Sequence, residues 1–597
     1  MNDDQDPGAG LVAAEPQHPD QDQDQNAGAL TFSPSRSRRK IILVALTCVA
    51  VVVAVGAILQ VRAASARSAR RLQASQATAR FIRTWQAGDA TALPAQTVTG
   101  ATGVGQAYAF LDVALGISRN TSGTLSAQPS TSTITAGSPI HVELGTPMGS
   151  GDLISVPAAI TIDVPGLGPW SEHTQFRVRT VGDRALIDWS PTNISPALKA
   201  GDQFRLVRTV PDRGKILGSN GQPLPFNANV SELVGALGPA TAAQVKADPT
   251  LAVGDLVGQN GLEQTDEAVL RGAASGELNV LDPTGHTVAT LGRWAGRAPH
   301  PVSSTVNPTM QAAAGQAISH TGHPSALVAI DATTGAVLAA ASNPSGYSRA
   351  LLGEYPPGST FKMVTLTAAL MSGRTLASPT SCTPSVTVDG DTMHNASGES
   401  FGSIPLLKAF AVSCNTSFIN LAESLPTGAL ATAAKLMGCD TGHAPLTVPS
   451  YGCSYPANAT GSGYAASAFG QGTVLTSPLA IADIAAAADS GTWRQPHLTP
   501  GAAPVSHPLP SAVVAQLQTA MRAVVTSGTG TGANLPGTPV FGKTGTAEIG
   551  TGPNPPTDAW FAAFRGNVAV AVVVEDAGFG ATTAIPVVDN FLQTVTH

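Results

Sequence analysis

The chain has 597 residues, of which 43% are hydrophobic and 12% are charged. This is enough apolar material for several cores, and the length predicts three or four domains. The formal net charge of −7 supplies no positive field for a polyanion, and the sequence has neither a lysine-rich nor a zinc-knuckle pattern. The composition therefore argues against nucleic acid as a partner.

The N-terminal region predicts a disordered tail followed by a membrane anchor. Residues 1–39 are rich in Asp, Gln, Pro and Gly, which disfavours a packed core. The uncharged apolar run Ile41–Leu59 would form a helix of about 30 Å that matches a bilayer, so we predict an anchor over 40–61. A cleaved signal peptide is the alternative, because Ala64-Ser65-Ala66 resembles a cleavage site. Arginines on both sides of the span leave its orientation open.

Residues 74–193 are predicted to form a small α+β domain. A helix ending at Gly88-Asp89 would place four apolar residues on one face: Ala74, Ala77, Phe81 and Trp85. Residues that alternate on both sides of Gly182-Asp183 predict a hairpin: Phe176, Val178, Thr180, Ala185, Ile187 and Trp189. Residues 200–300, with long stretches of Ala, Gly and Asp-Pro, predict a linking, partly extended domain.

Residues 301–597 are predicted to form the last domain. From Ser325 the sequence changes to strand-like hairpins and Ala-rich helices, and the two late runs VFGKTGTAEI and NVAVAVVVE are also strand-like. A helical stretch follows from Ile585. Strands at both ends with helices between them predict one antiparallel sheet that is closed late in the sequence. The fold class is therefore multidomain α+β with a single N-terminal transmembrane helix.

A candidate nucleophile lies at the start of a predicted helix. Ser359-Thr-Phe-Lys362 follows Pro-Pro-Gly, which cannot continue a helix backwards and so places Ser359 at the helix N-terminus with Lys362 one turn along. A serine needs an adjacent base, and the helix dipole favours developing negative charge there. The same S-x-x-K spacing also occurs in the basic segment Ser37–Lys40, so the pattern alone is weak.

Two later segments strengthen this candidate. Ser413-Cys414-Asn415 follows 54 residues after Ser359, and Lys543-Thr544-Gly545-Thr546 follows 130 residues after Ser413. An S-x-N pattern also begins at Ser118, so each element alone carries little. In this order, however, S-x-x-K, S-x-N and K-T-G form the signature set of penicillin-binding proteins and serine β-lactamases.

The resemblance covers nearly the whole chain after the span. EYPPGSTFK, DATTGAVLAAASNP and the segment Gly470-Gln471-Gly472 resemble the transpeptidase domain of class B penicillin-binding proteins. Asp212-Arg213-Gly214 resembles the class B linker motif, although Gly218-Ser219 stands where Asp-Arg is usual. Residues 74–193 resemble the NTF2-like domain that is found in one subgroup of class B proteins. The resemblance of the chain as a whole has an actinobacterial character. The resemblance implies a serine β-lactamase-like fold for the last domain and a pedestal or dimerisation type for 200–300.

The resemblance also implies a role for each motif residue, with no metal and no cofactor. Lys362 would accept the proton of Ser359, which requires a neutral amine, and Lys543 is the nearby cation that would lower its pKa. Ser413 would relay the proton, and Asn415 would hold Lys362 and the substrate amide. The backbone N–H groups of Ser359 and Thr546 would form the oxyanion hole. The substrate-binding residues would be Thr544, Gly545 and Thr546.

Plainer interpretations stand beside these roles. Asn415 fits a helix cap, Ser413 a turn residue, and Lys543 a charge that protects an edge strand. Of the five cysteines, Cys48 falls in the span. If the C-terminal half is extracytoplasmic, we expect a disulfide between Cys439 and Cys453, and a second between Cys382 and Cys414. Four buried free thiols are the alternative.

The implied function is a peptidoglycan D,D-transpeptidase that releases D-Ala and is acylated by penicillin. A D,D-carboxypeptidase and a low-affinity, β-lactam-resistant homologue are the enzymatic alternatives, and a penicillin-sensing receptor or a scaffold are the others. A β-lactamase is disfavoured because no Glu-x-x-Leu-Asn element lies between the motifs. The expected partners are stem peptides, β-lactams, the plasma membrane and a SEDS-family lipid II polymerase. The N-terminus would be cytoplasmic and the catalytic domain extracytoplasmic.

Overall fold

The computed structural model describes residues 36–595, except 102, 118–138, 226–230, 397, 441–445, 502, 504, 551, 553 and 554, with side chains described from Val44 onward. The predicted disordered tail therefore lies outside the described residues up to 35. Residues 36–39 belong to the first helix.

One long helix, α1 (Arg36–Gln86), contains both the predicted anchor and the predicted amphipathic helix. No Pro or Gly lies in 62–73, so nothing in the sequence interrupts the helix between the two parts. Its described part is long and apolar enough to cross a membrane. The predicted apolar face is confirmed, because Ala74, Ala77, Phe81 and Trp85 are all buried.

The N-terminal domain packs α1 against a four-stranded sheet. Its other elements are α2 (Gly103–Ala114), β1 (Ile140–Leu144), β2 (Leu153–Val164), β3 (Gly168–Val181) and β4 (Arg184–Ile187). The strands lie in the order β1-β2-β3-β4, and each pair is antiparallel. The predicted hairpin is β3-β4, in which Val178 pairs with Ile187. An aromatic cluster that includes Phe81, Tyr108 and Phe176 fills the space between helix and sheet.

The linking region contains more regular structure than an extended connection. Its elements are β5 (Gln203–Thr209), β6 (Ile216–Leu217), α3 (Ser231–Val234), β7 (Leu237–Pro239), α4 (Ala242–Ala247), β8 (Leu256–Gly258), α5 (Gly261–Thr265), α6 (Glu267–Arg271), β9 (Ser275–Leu281), β10 (Thr287–Trp294) and β11 (Val302–Ser303). A sheet of order β10-β9-β5 shares a hydrophobic core with the N-terminal domain through residues such as Leu278 and Val280. Arg213 forms ion pairs with Glu263 (2.6 Å) and Glu267 (2.7 Å).

The C-terminal domain is built around one five-stranded sheet. Its elements are α7 (Pro308–Ile318), β12 (Ser325–Asp331), β13 (Val337–Asn343), α8 (Arg349–Leu352), α9 (Lys362–Met371), β14 (Pro379–Cys382), β15 (Ser385–Val388), β16 (Asp391–His394), β17 (Gly402–Pro405), α10 (Leu406–Ala411), α11 (Asn415–Glu423), α12 (Ala429–Leu436), β18 (Cys453–Ser454), α13 (Gly461–Ser467), β19 (Leu475–Thr476), α14 (Pro478–Ser490), β20 (Thr492–Arg494), β21 (Ser506–Pro508), α15 (Ser511–Ser527), β22 (Val540–Glu548), β23 (Thr557–Arg565), β24 (Val568–Val574) and α16 (Ala584–Val595).

The order of this sheet is β13-β12-β24-β23-β22, with every neighbouring pair antiparallel. The prediction of one antiparallel sheet closed late in sequence is thus confirmed, because β24 pairs with β12 across the whole domain sequence. Apolar residues fill both faces of the sheet, and every residue of β24 is buried. Helices α7 and α16 cover one face, and α14 packs on the other. Strand β22 is left at the edge, beside the predicted nucleophile.

Candidate active site

Ser359 lies in a single 3₁₀ turn, Gly358–Phe361, that continues directly into α9. The prediction that it begins a helix is confirmed. Gly358 has φ +51°, and a Cβ placed on it would come within 2.5 Å of the Thr546 carbonyl oxygen. Only glycine combines this left-handed backbone with so close an approach. The turn that carries Ser359 therefore lies directly against the K-T-G strand, β22.

The Lys362 amine lies at the centre of the motif residues. It is fully buried, and its Nζ lies 3.0 Å from Ser359 Oγ. Nζ donates to the Ser413 carbonyl oxygen (2.7 Å) and to Asn415 Oδ1 (2.6 Å). A neutral amine has two N–H donors and one lone pair, whereas an ammonium has three donors and no lone pair. With both donors of the neutral form used, its lone pair is available to Ser359.

Burial and a second lysine both favour this neutral form. Burial lowers the pKa of Lys362 well below its ordinary value, the neighbouring Lys543 charge lowers it further, and Glu399 opposes the shift. Desolvation penalises an ammonium because the protein interior solvates charge poorly. The Lys362 amine also lies 5.3 Å from the centre of the Phe418 ring. A lysine held in this state is suited to act as a general base.

Ser413 connects the two buried lysines. Lys543 Nζ donates to Ser413 Oγ at 2.8 Å, while Lys362 Nζ lies 3.4 Å from the same oxygen. Ser413 has φ +61°, a left-handed conformation that is uncommon outside glycine and often found at functional sites. The turn interpretation is therefore correct for its backbone, but the hydroxyl also links the two amines.

The plainer interpretations of Asn415 and Lys543 are wrong. Asn415 is the first residue of α11 and does not cap it; its side chain binds Lys362 and donates to the His394 carbonyl oxygen (3.0 Å). Lys543 is fully buried on β22, so it is not a solvated charge that protects an edge strand. Burial lowers the pKa of Lys543 to about 7.

The remaining K-T-G residues form one wall of the site. Thr544 Oγ1 lies 2.6 Å from Thr529 Oγ1, and Thr546 Oγ1 accepts from the Gly580 N–H at 3.4 Å. A Cβ on Gly545 would come within 2.8 Å of Trp560 Cβ, so a larger residue there would displace the neighbouring strand. Glycine at this position lets β22 lie close to both the Ser359 turn and β23.

A cleft of about 410 Å³ exposes the polar groups of these motifs. It is lined by Ser359, Ser413, Asn415, Thr544, Gly545 and Thr546, while the two lysines lie buried beneath it. All eight predicted catalytic and substrate-binding residues are thus brought together. The cleft is also lined by His394, Glu399, Gln471 and Thr529. Of these, only Gln471 stood in a recognised segment; the others belong to no motif.

Two disulfides join the cysteines that the sequence paired. Cys382 is bonded to Cys414, the middle residue of S-x-N, and Cys439 is bonded to Cys453. The first bond attaches the S-x-N segment to β14. The second pair is not among the residues that line the cleft. Cys48 is a free thiol on the exposed part of α1.

Comparison with known families places this site in a class. The model of the penicillin-binding protein transpeptidase domain matches residues 325–593, and the model of the penicillin-binding protein dimerisation domain matches residues 224–301. The C-terminal unit is therefore a penicillin-binding transpeptidase domain with a serine site. Neither match extends into 74–193, so the NTF2-like character of that region stays a prediction, as do the domain boundaries drawn from the sequence.

Sequence relatives show to which class of penicillin-binding proteins the chain belongs. The peptidoglycan D,D-transpeptidase PbpA of Mycolicibacterium smegmatis is 32% identical over 379 residues, which cover 53% of this chain and 74% of the relative. PbpA of Mycobacterium tuberculosis is 31% identical over 330 residues, which cover 46% of this chain and 67% of the relative. The chain belongs to the class B penicillin-binding proteins. Its mycobacterial relatives agree with the actinobacterial character predicted from the sequence.

Solved structures show the same fold. One is a peptidoglycan synthase complex described for its structural coordination of polymerization and crosslinking, with a TM-score of 0.59 and 23% identity over 67% of this chain and 92% of that one. Another is the ceftriaxone acyl-enzyme of penicillin-binding protein A from M. tuberculosis, with a TM-score of 0.53 and 24% identity over 65% of this chain and 99% of that one.

Proposed function

We propose that this class B penicillin-binding protein is a membrane-anchored D,D-transpeptidase that cross-links peptidoglycan stem peptides through an acyl-enzyme on Ser359. The observation that carries the proposal is the position of Lys362. Its buried amine lies 3.0 Å from Ser359 Oγ, and both donors of its neutral form bind other groups. This arrangement leaves a lone pair ready to accept the serine proton.

Acylation then follows from the contacts. Lys362 takes the Ser359 proton as Oγ attacks the carbonyl carbon of the penultimate D-Ala, and an ester forms as the peptide C–N bond breaks. The proton passes from Lys362 through the Ser413 hydroxyl to the leaving D-Ala nitrogen. Lys543 would bind the terminal carboxylate of the substrate together with Thr544 and Thr546. Gly545 would let the substrate backbone approach β22 closely.

The oxyanion hole is assigned to backbone N–H groups of Ser359 and Thr546. Support comes from the contact between the Ser359 turn and β22, which only a glycine at 358 permits. Two donors held on adjoining rigid segments would be preorganised for the charge that develops on the carbonyl oxygen. β-Lactams would acylate the same serine, because their ring amide presents an equivalent carbonyl.

We assign the catalytic domain to the extracytoplasmic side and the N-terminus to the cytoplasm. The arginines around the span do not decide the orientation, but a serine that acts on peptidoglycan must face outward. Long C-terminal domains translocate largely regardless of their charge. A SEDS-family lipid II polymerase is the proposed membrane partner, since cross-linking requires newly made glycan strands.

Labelling with a fluorescent penicillin tests the nucleophile. Wild-type protein should be labelled, and Ser359→Ala should not be. Ser372→Ala is a matched control, because Ser372 ends the same helix, α9, and within the described part of the chain its hydroxyl contacts only the Ala368 carbonyl oxygen, to which it donates (2.8 Å). Labelling that persists in Ser359→Ala while Ser372→Ala behaves like wild type refutes the assignment.

A second measurement separates the transpeptidase from its alternatives. A peptide donor ending in D-Ala-D-Ala is incubated with and without an amine acceptor, and products are separated by mass. A transpeptidase gives an acceptor-dependent cross-linked product. A D,D-carboxypeptidase gives only the hydrolysed donor, and a receptor or scaffold gives no turnover.

A further inference from the structure

A pair of threonine hydroxyls lies in the wall of the active-site cleft. Thr529 Oγ1 lies 2.6 Å from Thr544 Oγ1, and both residues line the cleft that contains Ser359. Thr544 belongs to the K-T-G strand, β22, whereas Thr529 lies in the loop after α15 and belongs to no motif recognised in the sequence. The pair therefore adds a side chain from a different segment to the K-T-G wall.

The backbone around Thr529 is attached to the segment that carries Ser413. Thr529 N–H donates to the Ala411 carbonyl oxygen at 3.0 Å, and Ala411 precedes Ser413 by two residues. A Cβ on Gly528 would clash with the same carbonyl oxygen, so glycine lets the loop lie directly against the end of α10. Thr529 is thus bound through its backbone to the S-x-N segment and through its side chain to the K-T-G strand.

The hydroxyl pair has one proton more than its own hydrogen bond uses. Each threonine hydroxyl supplies one donor, and within the described part of the chain the two hydroxyls bond only to each other. One proton lies between the oxygens, so the second is free to point into the cleft. Thr544 is only 6% exposed, whereas Thr529 is half-buried. This difference favours Thr544 as the donor within the pair and Thr529 as the donor to a ligand.

The neighbours of the pair indicate an anionic ligand. Thr546 also lines the cleft, and its hydroxyl oxygen accepts from the Gly580 N–H, which leaves its own proton for a ligand. Lys543 donates to Ser413 Oγ and to the Thr544 carbonyl oxygen, and as an ammonium it keeps a third donor. Burial lowers the pKa of Lys543 to about 7, so its charge is only partly present near neutral pH. Neutral hydroxyl donors would therefore supply part of the binding of a carboxylate.

We propose that Thr529 is a further substrate-binding residue, whose hydroxyl donates to the terminal carboxylate of the D-Ala-D-Ala donor peptide. The inference rests on the proposed function, which assigns the same carboxylate to Lys543, Thr544 and Thr546. It adds a specificity: a residue outside the three motifs selects peptides, and β-lactams, that carry a free carboxylate at this place. An ester there is a weaker acceptor, because hydrogen bonds to an ionised group are stronger than those between neutral groups.

The test removes the hydroxyl and keeps the shape of the side chain. Thr529→Val replaces the hydroxyl by a methyl group, and Thr529→Ser keeps the hydroxyl. Thr526→Val is the matched control, because Thr526 is exposed on α15, lies outside the cleft lining, and donates its hydroxyl to the Arg522 carbonyl oxygen at 3.1 Å. All variants are made in the full-length protein, and thermal unfolding is measured for each.

The first measurement is the release of D-Ala from a donor peptide that ends in D-Ala-D-Ala. A contact made equally in the bound substrate and in the transition state changes KM and leaves kcat nearly unchanged. We expect Thr529→Val to raise KM about tenfold, which corresponds to about 1.4 kcal/mol. Thr529→Ser should restore most of this loss, and Thr526→Val should behave like the wild type.

The second measurement compares acylation by a penicillin with acylation by its methyl ester, followed by the mass of the intact protein. The ester lacks the negative charge that Thr529 is proposed to bind. Thr529→Val should therefore slow acylation by the free acid about tenfold and leave acylation by the ester unchanged. Thr526→Val should react with both compounds like the wild type.

Three outcomes would overturn the inference. One is an unchanged KM for the donor peptide in Thr529→Val, which leaves the proposed function standing. Another is a fall in kcat at unchanged KM, or an equal slowing with acid and ester, because either result shows that Thr529 only supports the fold of the cleft. The third is a wild-type protein that penicillin does not acylate at Ser359, in which case the proposed function fails as well.

Discussion

The substitution Asn415→Asp would test the charge state of Lys362. It places a carboxylate where Asn415 Oδ1 now lies, 2.6 Å from Lys362 Nζ. At an effective dielectric constant of about 20, the attraction between unit charges at that separation is on the order of 6 kcal/mol. Burying the new carboxylate offsets about half of it. The remaining ~3 kcal/mol would raise the pKa of Lys362 by about 2 units.

The sign of the effect on rate follows from the role of the neutral amine. Lys362 accepts a proton only when it is neutral, so acylation slows as pH falls below its pKa. A raised pKa moves this acid limb to higher pH, by about 2 units, and lowers the rate about 100-fold at pH values below the pKa of the wild-type lysine. At sufficiently high pH the rate should recover towards that of the wild type.

The assay is the second-order rate of acylation by a fluorescent penicillin, measured from about pH 5 to about pH 10. Asn420→Asp makes the same change on the same helix, where the side-chain amide donates to the Ser381 carbonyl oxygen and does not contact Lys362. Aspartate at 415 also loses the bond to His394, so the position of the acid limb is the criterion, not the absolute rate. A limb that does not move in Asn415→Asp refutes the assignment of Lys362 as the base.

Two further predictions concern stability. Gly358→Ala should destabilise the protein by about 3 kcal/mol, because it adds a clash with the backbone of β22 to the strain of a left-handed conformation. Gly373→Ala is the control: Gly373 has φ +86° with open space around it, and its substitution should cost about 1 kcal/mol. Equal shifts in Tm for the two variants would show that the contact of Gly358 with β22 is not tight. Arg213→Ala should cost about 3 kcal/mol in denaturant unfolding, because it leaves the buried carboxylate of Glu263 without its ion pair; Glu267 keeps its contact with Arg271. Arg293→Ala, whose ion pair is exposed, should cost less than about 1 kcal/mol. Similar losses for both would contradict the burial argument.

Local chemistry made the centre of the site predictable from sequence. Pro-Pro-Gly before Ser359 fixes where a helix begins, and a lysine one turn along must then lie beside the serine. The meeting of Ser413 and Lys543, 130 residues apart in sequence, came from the family resemblance and not from local pattern. Thr529 and Glu399 could not be found, because their places in the cleft depend on how loops pack around β22.

The linking region shows a different reason for incomplete prediction. Its sheet was not anticipated, because the pairing of β9 with β10 shifts register between Thr287 and Ala289 and again between Thr290 and Gly292. Each irregularity inserts a residue that moves later side chains to the opposite face, which hides the two-residue period in the sequence. The continuous helix α1 was likewise predicted from the sequence as two separate helices. Apolar residues surround the whole helix axis within the span, but after the span they lie on one face only.

Helix α1 connects the membrane anchor to the N-terminal domain as one continuous rod, because it is unbroken from Arg36 to Gln86. From Leu59, the end of the apolar run, to Trp85, packed inside the first domain, the helix rises about 39 Å. Membrane helices commonly tilt by about 20°, which at that height moves the domain sideways by about 13 Å. Such motion changes lateral position much more than height. The active site would therefore search for its peptides within a thin layer at a nearly constant distance from the membrane.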